Sequence, residues 1–130
     1  MSSRSDEFLR RPRTWYEKFR DAFLGVRSGI RGQNSFRVHI FMAIAVIIAA
    51  TVMRMNMWQW CLLLLCIAGV LTAEMFNSAL EHFAKAVEKD HNPQIGEALD
   101  TASAAVLFAS LGAALVGSII FLDRLWELLH

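Results

Sequence analysis

In the segment TAEMFNSALEHF, residues 72–83, Glu74, Asn77 and Glu81 follow one another at spacings of three and four. On a helix that interval places all three on one face, and Lys85 continues it one turn later. A rise of about 1.5 Å per residue sets Glu74 and Glu81 roughly 10 Å apart. A carboxylate with an amide oxygen suits Mg2+, which takes oxygen ligands and shares its shell with substrate phosphates. A carboxylate one turn away can take a proton from a hydroxyl. The chain has no GxxxxGK[ST] loop, so a nucleotide at such a site is held without a P-loop. Three accounts of Glu74 stand at this point: a carboxylate paired or hydrogen-bonded between helices, a proton-coupled carboxylate in a small transporter, and catalysis at a membrane surface.

The surrounding residues set the medium in which these groups work. The chain has 130 residues, 55% of them hydrophobic and 19% charged, with a mean hydropathy of +0.39. It suits one domain. Its apolar residues are blocked together: 38–53, 55–73 and 101–122 contain no Asp, Glu, Lys or Arg. A bilayer core takes about 20 apolar residues as helix and accepts roughly 17. The second and third stretches meet that length, and the first does so with Arg37 and His39 at headgroup level. IFMAIAVIIAA and CLLLLCIAGVL are apolar all round, whereas a helix of a soluble bundle carries a polar stripe. The sequence therefore predicts an all-α membrane protein with three spans, at about 37–54, 57–84 and 100–122, inside a domain of residues 36–130.

Ionisable groups within a span cost about 2.5 to 3.5 kcal/mol each near its centre and persist mostly where they act. Orientation follows from the cations. Arg4, Arg10, Arg11, Arg13, Lys18, Arg20, Arg27, Arg31 and Arg37 precede the first span, and Lys85 and Lys89 lie between the second and third. Only Arg54 and Arg124 fall on the other side, which predicts a cytoplasmic N-terminus. The 37 largely polar residues ahead of the first apolar run do not read as a signal peptide.

Residues 1–35 read as a cytoplasmic tail and an amphipathic surface helix. Trp15, Phe19, Phe23, Val26 and Ile30 recur at helical spacing, with Lys18, Arg20, Arg27 and Arg31 over the remaining surface. Such a helix belongs in the headgroup plane. SGIRGQNS then reads as the break before the first span, with Gly29 and Gly32 as hinges. In the third span Thr101, Ala105, Ala109, Ala113 and Gly117 recur every four residues, a pattern that lets helices approach closely in lipid and suggests oligomerisation. Cys61 and Cys66 lie on different faces of the second span and read as packing residues. EKDHNPQIG, residues 88–96, reads as a polar loop with Pro93 and Gly96 as turn residues. His82 and His91 follow no zinc spacing and read as surface residues, and LDRLWELLH reads as a short interfacial helix anchored by Trp126.

Three segments together resemble one family. EMFNSALEHF is similar to the E-x-x-N-[ST]-A-[IL]-E signature of the small prokaryotic diacylglycerol kinases and undecaprenol kinases. LDTASAAVLF resembles their A-K-D-x-x-[SA]-A-A-V segment, which opens the third span. GVRSGIRGQNSFRVH resembles their G-[IL]-[KR]-x5-E-x-x-F-R-x-H stretch, and the likeness runs in order from about Phe19 to the C-terminus. The F-R-x-H form and the W-x-L-L ending look more like the undecaprenol kinase branch.

The resemblance implies a homotrimeric bundle in the prokaryotic inner membrane. Its active sites are shared between subunits, and it transfers the γ-phosphate of Mg-ATP to the primary hydroxyl of a lipid alcohol, with no nucleic-acid partner. Glu74 then matches the catalytic base. Glu81 and Asn77 match the metal and phosphate end, with Gln33 as a further metal position. Lys85, Asp100 and Glu81 fall on the nucleotide side, and Ser78 and Ser103 join Glu74 at the lipid substrate. Three positions depart from the pattern: Gln33 replaces a Glu, Leu99 replaces the Lys of A-K-D, and Lys85 replaces an Asp. These changes bear on metal and nucleotide binding. They leave a catalytically impaired copy, or a scaffold or small transporter on the same fold, as the competing reading.

Overall fold

The computed structural model describes residues 12–87 and 90–130. The tail cations Arg4, Arg10 and Arg11, and Lys89 of the second loop, lie outside the described residues. Among the described residues four helices follow one another: α1 (Trp15–Gly32), α2 (Asn34–Val52), α3 (Met57–Val87) and α4 (Pro93–Leu129). No strand occurs among the described residues. The last three helices are each long and apolar enough to cross a membrane.

Each helix has a local reason to start where it does. Thr14 caps α1 through a reciprocal pair with Glu17, its hydroxyl accepting from the Glu17 N–H at 3.3 Å while the Thr14 N–H donates to Glu17 Oε2 at 3.0 Å. Asn56 and Gln59 repeat the device at the head of α3, each side-chain oxygen accepting from the other's N–H at 3.0 Å. Asn92 Oδ1 accepts from the Gln94 N–H at 3.0 Å, and Pro93 occupies the first turn of α4, where its missing N–H costs nothing. That start carries Gly96 into the helix, so it is not a turn residue. At the other end α4 runs without interruption to Leu129, and DRLWELLH is its last two turns instead of a separate helix.

The break between α1 and α2 is a single residue. Gln33 is extended, with φ −129° and ψ 119°, and serves both as C-cap of α1 and N-cap of α2. Neither Gly29 nor Gly32 has a positive φ. Gly29 matters for space instead, since a Cβ there would stand 3.8 Å from the Phe36 ring, which is itself buried. Arg37 fixes the corner by donating from Nε to the Ile30 carbonyl at 2.7 Å and from Nη2 to the Arg31 carbonyl at 2.8 Å. The α2–α3 turn is also tight. Arg54 has φ 53°, the Arg54 N–H bonds the Thr51 carbonyl and the Met55 N–H bonds the Ala50 carbonyl, which together make a Schellman ending. From α4, Arg124 donates to the Met53 and Arg54 carbonyls at 3.0 Å each and clamps that end of the bundle.

Packing is heaviest between α3 and α4, with α2 lying against α3. Ala50, Met55, Leu63 and Ile120 form a buried apolar cluster at the Arg124 end. At the opposite end the buried residues are Phe36, Glu74, Asn77, Ser78 and Ala84. Polar groups are thus inside, while large apolar side chains such as Phe41, Leu65 and Phe108 point outward. That inversion is what a chain surrounded by lipid or by further apolar helices requires. The apolar face of α1 is exposed too, from Trp15 to Ile30, and α1 buries no residue within the subunit.

Candidate functional site

α3 carries the site on the face that looks toward α2 and α4. Glu74 is 1% exposed, Ser78 4% and Asn77 7%, so a carboxylate and an amide are among the most enclosed groups of the subunit. An unpaired buried carboxylate is strongly disfavoured, and its partners therefore define what it can do. The first turns of α2 supply them. The Ser35 hydroxyl donates to Glu74 Oε1 in a short hydrogen bond, and His39 Nε2 lies 3.7 Å from Oε2. Ser35 and His39 are four apart on α2 and present one face to Glu74. No Lys or Arg pairs with Glu74 among the described residues.

Two turns along α3, Glu81 has a different surround. Gln33 Nε2 donates to Glu81 Oε2 at 2.8 Å, and Asn77 Nδ2 donates to Oε1 at 3.1 Å. Asn77 Oδ1 in turn lies 3.5 Å from the Ser103 hydroxyl of α4, a long contact. The residue at the α1–α2 break, one further residue of α3 and, through it, one of α4 are in this way tied to one carboxylate.

Of the residues singled out by sequence, Gln33, Glu74, Asn77, Glu81 and Ser103 fall into these two linked groups. Ser78 is buried beside them, with its hydroxyl lacking a partner among the described residues. Lys85 and Asp100 are exposed, and neither makes a hydrogen bond or ion pair with the cluster within the subunit. Sequence reasoning missed Ser35 and His39. His39, which reads as a headgroup-level residue in the sequence, lies against Glu74 instead. The available signal was the pair's spacing of four inside NSFRVH, aligned with a carboxylate on another helix that only the fold brings near.

Among the described residues no three His, Cys, Asp or Glu side chains come together to hold a metal ion. The Glu81 end offers one carboxylate and two amide groups. This donor set is too sparse for a transition metal or a cage of its own. It fits a hard cation that brings phosphate oxygens and water with it. A separate cavity of about 530 Å³ lies between α2, α3 and α4, walled by Met42, Val46, Leu63, Ile67, Ala113 and Gly117 among others, with His39 in its lining. Part of the small-residue stripe of α4 therefore faces open apolar space in this subunit.

Comparison with known proteins adds a chemical context to this geometry. The family described as prokaryotic diacylglycerol kinase matches residues 20–121. An undecaprenol kinase from Bacillus subtilis (strain 168) is 28% identical over 111 residues, covering 85% of this chain and 90% of that protein. A diacylglycerol kinase from Synechocystis sp. is 33% identical over 112 residues, covering 85% of this chain and 64% of that protein. The chain thus spans under two thirds of the Synechocystis protein's length. No solved structure gives a significant match.

Proposed function

The chain belongs to the prokaryotic diacylglycerol kinase family, and from that premise we propose that it transfers the γ-phosphate of Mg-ATP to the primary hydroxyl of a membrane lipid alcohol, diacylglycerol or undecaprenol. The coarser statement, a membrane protein of a lipid kinase family, rests on the family match and the three membrane-length helices. The observation that carries the finer reading is the enclosure of Glu74 by Ser35 and His39, two turns from the Glu81–Asn77–Gln33 cluster. A buried, hydrogen-bonded carboxylate with no Lys or Arg partner is placed to accept a proton.

In this reading Glu74 takes the proton of the lipid hydroxyl as that oxygen attacks the γ-phosphorus, and ADP leaves. Ser78 and Ser103 orient the lipid alcohol beside it. Glu81, with oxygens of Asn77 and Gln33, would hold Mg2+, which would supply charge neutralisation on the phosphates. Lys85 takes over phosphate neutralisation from the position now held by Leu99, and Asp100 meets the nucleotide. Positioning and electrostatics carry most of phosphoryl transfer, so few residues suffice.

Three subunits form the working unit in this proposal, with sites shared between neighbours. The exposed positions of Lys85 and Asp100 and the outward apolar faces support it. The basic N-terminal region lies on the cytoplasmic side, with α1 along the surface, where its cations meet anionic lipid.

The test is transfer of labelled γ-phosphate from ATP in mixed micelles with Mg2+, offering diacylglycerol and undecaprenol separately. Transfer to one lipid is expected, with Glu74→Gln lowering the rate by about 10² to 10⁴. A folded protein that phosphorylates neither lipid would replace the kinase reading with a scaffold or transporter on this fold, and a Glu74→Gln variant as active as wild type would remove Glu74 as the base.

A further inference from the structure

We propose that His39 is a positioning residue for Glu74: it holds that enclosed carboxylate in place and fixes which of its oxygens faces the substrate. This rests on the reading of Glu74 as the base. A carboxylate at 1% exposure needs polar groups to replace its water. Glu74 has two against it. The Ser35 hydroxyl occupies Oε1, and His39 Nε2 stands 3.7 Å from Oε2, an ion-pair separation with room to tighten when substrate binds. The imidazole thus supplies the N–H that can hold Oε2, as the Ser35 hydroxyl holds Oε1.

The surroundings of His39 favour this assignment. Its side chain is 23% exposed while that of Glu74 is 2% exposed, so the ring screens the carboxylate from the space beyond. That space is the apolar cavity between α2, α3 and α4. From α3 the ionisable groups facing His39 are Glu74 and, across the cavity, Cys66. From α4 the wall offers serines, alanines, glycine and apolar residues, and nothing that titrates. Arg37, two residues earlier on α2, is committed to the Ile30 and Arg31 carbonyls. Among the described residues no other side chain stands against Glu74 Oε2 in place of the imidazole.

The test compares His39→Phe, which keeps a ring and removes the donor, with His39→Gln, which keeps an N–H donor without titrating. His39→Ala serves if Phe does not fit. Two readouts are taken on the full-length protein in detergent. The first is the pH dependence of kcat for phosphate transfer together with KM for ATP. The second is labelling of Glu74 by dicyclohexylcarbodiimide across pH, followed by mass spectrometry. This reagent reacts with protonated carboxyls and needs no kinase activity.

The expectation for His39→Phe is a kcat about 10- to 100-fold lower near neutral pH and an ATP KM within about twofold of wild type. The acidic limb of kcat and the labelling of Glu74 both extend to higher pH. His39→Gln recovers most of the rate and returns the labelling profile toward wild type. Wild-type labelling and an unmoved pH profile in both the Phe and Ala variants would overturn the proposal, as would an effect on KM alone. If wild-type protein phosphorylates no lipid, the kinase reading fails separately, and the labelling profile still decides the role of His39.

Discussion

Gln33 and Glu81 are 48 positions apart, and the Gln33 amide donates to the Glu81 carboxylate at 2.8 Å. The amide stands where the resembling family has a carboxylate. It turns a repulsive pair into a hydrogen-bonded one, and with Asn77 it donates to both Glu81 oxygens.

The Gln33→Glu variant is therefore expected to place like charges in contact. Its thermal stability in detergent should fall without divalent cation and recover when Mg2+ is added, a larger Mg2+ response than wild type shows. Mg2+ titrations of unfolding temperature for the two proteins check this. Equal responses would mean that Glu81 is no part of a cation site.

Lys85 continues the Glu74–Asn77–Glu81 face of α3 and is exposed, with no hydrogen bond or ion pair to the Glu81 cluster. If it meets nucleotide phosphate, Lys85→Ala should raise the apparent KM for ATP several-fold with a smaller effect on kcat, and Leu99→Lys in that background should restore part of the loss. An unchanged ATP KM in Lys85→Ala would remove the residue from the nucleotide site.

The Arg124 guanidinium donates to the two carbonyls that close the α2–α3 turn and reaches Glu127 Oε2 at 2.7 Å. The Glu127 contact is half-exposed and contributes little. The carbonyl contacts are the larger part, so Arg124→Met should cost about 1–3 kcal/mol. Thermal unfolding should report this, while kcat stays within about twofold because the clamp lies at the end of the bundle away from Glu74.

Arg54 adopts a left-handed conformation at φ 53°, where a side chain costs about 1–2 kcal/mol relative to glycine. Arg54→Gly is expected to raise the unfolding temperature, since the backbone bonds of the Schellman ending need no side chain. A fall would show that the Arg54 side chain makes contacts outside the subunit that outweigh its strain.

The three spans and the Glu74–Asn77–Glu81 face were legible in the sequence because charge inside an apolar run is conspicuous and helical spacing assigns the face. Ser35 and His39 were not. They sit at the start of the first span, where polar residues at headgroup level are ordinary, and their meaning depends on how α2 packs against α3. Helix ends were the least legible part. Gly96 looks like a turn residue until Pro93 and Asn92 are seen to cap α4 ahead of it. The last two turns of α4 look separable until Arg124 is seen tied to the opposite loop. Both are long-range or reciprocal contacts that periodicity does not encode.

The single extended residue between α1 and α2 has a mechanical consequence. α1 is a lever about 27 Å long, at about 1.5 Å per residue over its 18 residues, and its axle is Gln33, the residue that also touches Glu81. Displacement about an axle grows with distance from it. A tilt of roughly 10° carries Trp15 through about 5 Å on that lever length and leaves the backbone at Gln33 nearly in place. Arg37 holds the last turn of α1 through the Ile30 and Arg31 carbonyls, so any such tilt is taken up at the far end of the lever and the joint beside the carboxylate stays still.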